Sequence, residues 1–197
     1  MHAVKLTVIA AVFPVIFLGE LPDKTMFASL VMAARGRPVA VWIGAAVAFS
    51  VHVVIAVAVG AALFAVVPHR ALDAVVAALF LGGAVYSYLI RNQEEEAPAV
   101  TATNSAWRVS GRAAAVIFVA EWGDLTQILT ANLAARYHSP LSVGVASLAA
   151  LWAVAAIAVL SGANLLRILS VHTLRVVTTV VLLGLAAYTA TQAAGWS

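Results

Sequence analysis

Apolar residues run almost without interruption through six stretches of this chain, approximately residues 4–34, 39–67, 71–91, 112–135, 141–163 and 172–194. The breaks between them carry turn and charge signals: Arg35-Gly36-Arg37-Pro38, Pro68-His69-Arg70, Asn92 to Gly111, Tyr137-His138-Ser139-Pro140, and Asn164 to Ser170. Each stretch approaches the roughly 20 residues that a helix needs to cross the hydrocarbon core of a bilayer. The pattern therefore predicts an all-α integral membrane protein of six transmembrane helices. His2 and Lys5 ahead of an apolar run imitate a signal peptide, but the run continues to Ala34 with no small-residue cleavage site before a polar start, so it is read as a mature span.

Composition sharpens this picture. Hydrophobic residues make up 64% of the chain and charged residues 10%, which excludes an ordinary soluble domain. No cysteine is present, so thiolate metal sites and cysteine nucleophiles are excluded. The net charge of +3 is small and forms no basic cluster that would suggest nucleic acid. Arginines gather instead at helix ends. Arg35, Arg37, Arg91, Arg108, Arg112, Arg167 and Arg175 fall at the first, third and fifth connections, against Lys5, Arg70 and Arg136 on the opposite side. The excess of positive charge marks the cytoplasmic side and predicts a multi-pass protein of the cell membrane with both termini outside.

Two of the stretches contain the same sequence. VIFLGELPDKTMFASLVMAAR (15–35) and VIFVAEWGDLTQILTANLAAR (116–136) agree at Val, Ile, Phe, Glu, Asp, Thr, Ala, Ala and Arg. A shift of about 102 residues also aligns Pro38 with Pro140, Gly60 with Gly162, Gly82 with Gly184 and Tyr86 with Tyr188. The chain thus reads as a duplicated three-helix unit: residues 1–91 with the motif Glu20–Thr25, a cytoplasmic linker at 92–111, and residues 112–197 with the motif Glu121–Thr126. The run Glu94-Glu95-Glu96 belongs to the linker and is read as a solvated segment. An odd number of spans per unit inserts the second copy upside down relative to the first, as in many secondary transporters, whose substrate sites lie at the midplane between the repeats.

Both copies hold a carboxylate pair at membrane depth, where each ionisable group costs roughly 2.5–3.5 kcal/mol on insertion scales, so Glu20, Asp23, Glu121 and Asp124 are functional candidates. Within each pair the spacing is i, i+3, which places both groups on one face of a helix. Helical geometry is interrupted there. Pro22 lacks an N–H and clashes with the carbonyl four residues back, and Gly123 gives the second motif freedom instead. Backbone freed at membrane depth is tolerated where it lines a cavity, and its carbonyls can meet cations.

Thr25 and Thr126 add a hydroxyl to each motif, and Gln127 adds an amide oxygen to the second. Hard oxygen donors of this kind suit manganese, calcium or magnesium and argue against copper or zinc. Met26, at the position of Gln127, offers either a thioether to a softer ion or simple packing. Lys24 has Leu125 as its counterpart, so the first motif carries one formal negative charge and the second two, which centres a cation nearer Glu121 and Asp124. Crowded carboxylates titrate as a coupled group, so protons and a divalent cation compete for the same oxygens. Combined with alternating access, this competition is cation/proton exchange.

The duplicated motif resembles that of the Gdt family of membrane cation exchangers, in which two inverted three-helix repeats each carry E-x-G-D-[KR]-[ST]. The resemblance extends over essentially the full chain and implies a transporter of manganese or calcium driven by protons, the short bacterial-type members resembling manganese exporters. It marks Glu20, Asp23, Lys24 and Thr25 in the first copy and Glu121, Gly123, Asp124 and Thr126 in the second. Pro22 stands where the family has glycine, and Leu125 where it has a basic residue.

His52 lies deep in the second span with Val154 as its counterpart, where it either serves the protons and metal or is a neutral ring bonded to a neighbouring helix. Ser29, Thr130 and Asn132 continue the motif faces, either lining the ion path or joining helices. Trp122 sits inside the second motif, as a cavity wall or as packing. Two membrane aspartates would also serve an intramembrane aspartyl protease. That chemistry predicts G-x-G-D at one aspartate, whereas this chain has Glu121-Trp122-Gly123-Asp124 and a glutamate beside each aspartate. The chain is accordingly read as a transporter and not an enzyme, with lipid, divalent cations and protons as its partners and no cofactor beyond the transported ion. An exporter of amino acids or other small solutes is the alternative, and the sequence leaves open whether the chain forms a homo-oligomer.

Overall fold

The computed structural model describes residues 4–20, 24–34, 37–64, 68–89, 105–168 and 171–195. Its elements are α1 (Leu6–Glu20), α2 (Lys24–Ala34), α3 (Pro38–Phe64), α4 (His69–Leu89), α5 (Ala106–Ala120), α6 (Leu125–Tyr137), α7 (Pro140–Ile168) and α8 (Val171–Ala193). Six apolar stretches thus become eight helices among the described residues, and no strand occurs there. The fourth stretch is divided at its motif, and in the first stretch α1 and α2 flank residues 21–23. Pro22 and Asp23 lie outside the described residues, but in the second copy the division is explicit: α5 and α6 meet at a bend of 73°. Helix α5 starts at Ala106, within the stretch assigned to the linker.

By length and apolarity α3 and α7 can each cross a membrane, and α5 with α6 forms a third crossing if the bent pair is taken as one span. Both long helices are apolar all round. On α3, Val39, Ile43, Val47, Val51 and Val54 are exposed, while Val41, Ala45, Ala48, Phe49 and Val53 are buried in the main core. An outward stripe of this size would be an aggregation liability in water and is what lipid covers.

Helices α3 and α7 form the centre and run in opposite directions. Trp42 meets Trp152 edge-on at 5.9 Å, its Nε1–H donating to the Trp152 carbonyl while Trp152 Nε1–H donates to the carbonyl of Ala46. Further along α3, Val53 and Val57 approach Gly144, nearer the start of α7. Other pairs run parallel. The backbone N–H of Lys5 donates to Ser142 at the start of α7, and Phe17 at the end of α1 packs near Val154. Likewise Gly44 of α3 faces Ser110 of α5, and His52 faces Phe118. It follows that α1 and α5, the helices bearing the two glutamates, are also oppositely directed.

The packing scheme is nearly unchanged when α1–α4 are exchanged for α5–α8. Helix α1 packs on α7 as α5 does on α3, α2 packs on α7 as α6 does on α3, and α4 pairs with α8. At one end α4, α6 and α8 are joined by polar groups. Buried Asp73 takes a hydrogen bond from Asn132 (3.5 Å) and an ion pair from Arg136 (3.7 Å), and Arg136 also donates to Gln192. This cluster borders a cavity of about 90 Å³ between α1, α6 and α8.

Close approach depends on glycine at the crossing of α3 and α6. A Cβ on Gly60 would collide with the backbone carbonyl of Ala131, which can yield only if a helix moves. By contrast, a Cβ on Gly82 of α4 would meet nothing within 4 Å. Gly60→Ala is expected to destabilise the protein by about 1–3 kcal/mol, the usual cost of overpacking, and Gly82→Ala to leave it unchanged. Thermal unfolding of the two purified variants in detergent tests this, and equal midpoints would show that the crossing is not tight.

Candidate functional site

The second motif can be followed atom by atom. Helix α5 ends at Ala120; Glu121 occupies its C-cap position, and its N–H still reaches the Ile117 carbonyl at 2.9 Å. The N–H of Trp122 tightens onto Val119 (3.4 Å), which leaves the Phe118 carbonyl without its intrahelical donor. Gly123 then adopts φ +75°, a left-handed conformation that favours glycine over any residue with a Cβ. The turn closes where the Asp124 N–H donates to the Glu121 carbonyl (3.1 Å). Asp124 caps α6, its Oδ2 accepting from the backbone N–H of Thr126 at 3.3 Å and from the Thr126 hydroxyl at 3.4 Å. A carboxylate at this position is favoured by the exposed N–H groups and dipole of the helix. The i, i+3 pair meets because the chain turns between two helices, and not because the residues share a face of one helix.

Opposite this break lies the end of α1. Glu20 is its last residue and fully buried, Glu121 is buried and Asp124 half-buried. One carboxylate oxygen from each of the three lies within 4.8 Å of the others, so acids from both copies converge on a single point. Thr25, in the first turn of α2, is buried and donates its hydroxyl to Glu121 Oε1, a second link between the copies. Thr126 is buried beside them. A divalent cation could draw on three carboxylates and two hydroxyls here, all hard oxygen ligands.

Not every sequence candidate reaches this point. Asp23 lies outside the described residues. Lys24 is the first residue of α2, and its side chain is outside the description. Met26 is buried in an apolar cluster with Leu30, Val154 and Ala158. Gln127 turns its amide oxygen to the N–H of Gly123 (2.8 Å) and its amide nitrogen to His52 Nδ1 (3.0 Å). His52, buried in α3, donates Nε2–H to the freed carbonyl of Phe118 at 3.0 Å. Trp122 is 63% exposed and does not line the cavity beside the motif, being an outward residue that touches the edges of His52 and Phe118. Leu125, where a basic residue was the family pattern, lies against Gly83 of α4.

That cavity is small, about 10 Å³, room for about one water. Glu121, Thr126, Gln127 and Thr130 line it from one side, His52 and Phe49 from the other. Thr130 also donates to buried Ser147 of α7 at 3.4 Å. The hydroxyl of Ser29, the counterpart of Thr130, is buried with no hydrogen-bond partner among the described residues. Sequence reading did not single out Ser147, Asp73 or the Phe118 carbonyl: the first two carry no repeat signature, and a backbone group is invisible to a reading of side chains.

Comparison with known proteins agrees with this duplicated layout. The family model described as divalent cation/proton antiporter GDT1 matches the chain twice, over residues 8–95 and 110–197. Among curated proteins, protein PAM71, chloroplastic, of Arabidopsis thaliana is 31% identical over 93% of this chain. The chain spans 56%, about half, of that relative's length. No solved structure matches the chain.

Two ionised carboxylates at this separation repel by about 3 kcal/mol at an effective dielectric constant near 20. Replacing Glu20 by Gln removes one charge at nearly constant shape. At a pH high enough to strip the protons that otherwise replace the cation, the ion-free variant is therefore expected to unfold several degrees above wild type, at about 2–4 °C per kcal/mol for a chain of this size. A lower midpoint would mean that Glu20 stabilises the fold through the bonds it makes, with no repulsion to relieve.

Proposed function

The chain belongs to the GDT1 family of divalent cation/proton antiporters, and from that premise we propose that it exports manganese, with calcium as the second ion, in exchange for protons across the cell membrane. The observation that carries this reading is the convergence of Glu20, Glu121 and Asp124, from both copies, within 4.8 Å in the interior of an apolar bundle. Asp23 completes the set as the counterpart of Asp124. Thr25 and Thr126 supply neutral oxygens, so that a cation leaving the site is replaced by protons on the same carboxylates.

Alternating access follows from the arrangement of the copies. Residues 1–91 and 112–197 act as two three-span repeats of opposite orientation, joined by the linker at 92–111, six spans in all. The opposed directions of α3 and α7, and of α1 and α5, support this inversion, and the arginine bias supports termini on the outer side. The divided helices are the moving parts. In the second copy a short helix ends at the carboxylates and another starts there, at a bend of 73°, so tilting either half opens the site to one side. At the second break the carbonyl end of α5 favours a cation while the N–H end of α6 holds the Asp124 anion.

Proteoliposomes with an internal pH dye, offered manganese, calcium or magnesium, test the reading. Wild-type protein is expected to move protons against manganese and, more weakly, against calcium. Glu121→Gln and Asp124→Asn are each expected to lose more than the roughly 10–100-fold that removal of an outer-shell partner costs a metal site. Metal flux without proton movement would remove the exchange mechanism, and no flux of any divalent cation would favour a small-solute exporter.

A further inference from the structure

Breaking α5 creates two backbone groups that no helix satisfies, and both are met by one pair of side chains. The Phe118 carbonyl, relinquished by Trp122, accepts from His52 Nε2–H at 3.0 Å. The Gly123 N–H, at the turn between the two helices, donates to Gln127 Oε1 at 2.8 Å. The pair is closed by Gln127 Nε2–H donating to His52 Nδ1 at 3.0 Å. These bonds are mutually consistent in only one sense. A carbonyl can only accept, so His52 carries its proton on Nε2; Nδ1 is then the acceptor, and the Gln127 amide oxygen is left for Gly123. Stacking on Phe118 at 4.7 Å and an edge contact with Trp122 at 6.0 Å hold the ring in place.

The other copy has the same contacts without the polarity. Phe118, Gln127, Ala131, His52 and Ala56 correspond to Phe17, Met26, Leu30, Val154 and Ala158, which form one apolar cluster. Gly123 corresponds to Pro22, and proline has no N–H to satisfy. So where the backbone has a donor, its neighbour is Gln, and the residue behind is His. Where the donor is absent, the neighbour is Met and the residue behind is Val. The polar trio and the apolar trio are alternative solutions to one problem, and the demand set by the backbone chooses between them.

We infer that His52 and Gln127 are positioning residues of the second carboxylate pair, a brace that fixes the turn between α5 and α6 and so holds Glu121 and Asp124 at their spacing. This rests on the proposed cation site and adds to it that the supports behind the two motifs are unequal: hydrogen-bonded side chains in the second copy, apolar packing in the first. Gln127 then acts on the cation through the turn, its oxygen being committed to Gly123. Partners of this outer kind typically cost a site 10–100-fold in metal affinity when removed.

The test is a double-mutant cycle in reconstituted full-length protein, with manganese-dependent proton flux giving KM and maximal rate, and manganese binding to purified protein read by electron paramagnetic resonance. His52→Val and Gln127→Met each introduce the residue that the first copy uses at the same contact. Each is expected to raise KM and the dissociation constant about tenfold with the maximal rate little changed. Because the pair acts as one unit, the double variant is expected to be no worse than either single one. His52→Gln, which restores a donor for the Phe118 carbonyl, is expected to recover part of the loss. Additive losses near a hundredfold, a fall in maximal rate with KM unchanged, or wild-type values in the single variants would overturn the brace. Glu121→Gln run alongside separates the two claims. If it too keeps wild-type affinity, the proposed cation site itself falls; if it loses binding while His52→Val does not, only the brace falls. Should a single variant fail to fold, the double variant, whose apolar pair already packs in the first copy, decides through its KM.

Discussion

Carboxylates that must share a point inside an apolar bundle repel one another and forgo water, and the rest of this structure is arranged around that constraint. Glu20 and Glu121 are both buried, and Asp124 is within 4.8 Å of each. A continuous helix would satisfy its own backbone and leave the acids with little but each other. Ending α5 at Ala120 and starting α6 at Leu125 instead places the N–H and hydroxyl of Thr126 against Asp124, while Thr25 of the other copy donates to Glu121. The break is a cost in backbone bonds that supplies polar partners where the charges lie.

That cost is met locally and differently in each copy. At the second break the Gln127 and His52 side chains bond two backbone groups that lack helical partners, the Gly123 N–H and the Phe118 carbonyl. In the first copy the equivalent positions are apolar and pack with Val154 and Ala158. A duplicated chain has thus kept its acids and hydroxyls while the supports behind them diverged. In the proposed exchange it is the oxygens that meet the ion, and the residues behind them act by holding them in place.

The central helices act as the frame against which the broken ones are set. Helices α3 and α7 are long, unbroken and locked by the reciprocal bonds of Trp42 and Trp152, while each packs against both halves of the other copy's broken helix. Close crossing at Gly60 brings α6 against α3, which is how His52 comes within reach of Gln127. At the opposite end of α6, Asp73 and Gln192 hold Arg136 and tie the helix to α4 and α8. Helix α6 is thereby anchored at its far end as well, with the site at its start.

Much of this was legible in the chain itself. The apolar stretches gave the helical class and the position of nearly every helix, because burial in lipid demands unbroken hydrophobicity regardless of partners. The repeated Glu, Asp and Thr identified the acids, since charge at that depth has no cheap explanation, and Gly123 marked where the fourth stretch is interrupted. The sequence could not tell that Glu121 and Asp124 sit at the ends of two helices bent by 73°, because the i, i+3 spacing fits one helix face as well as a turn. Nor could it choose between the readings of His52 and Gln127. Which hydrogen bond each makes depends on how closely α3 crosses α6 and which carbonyl the break leaves free. Those are distances between segments far apart in the chain, and only tertiary packing decides them.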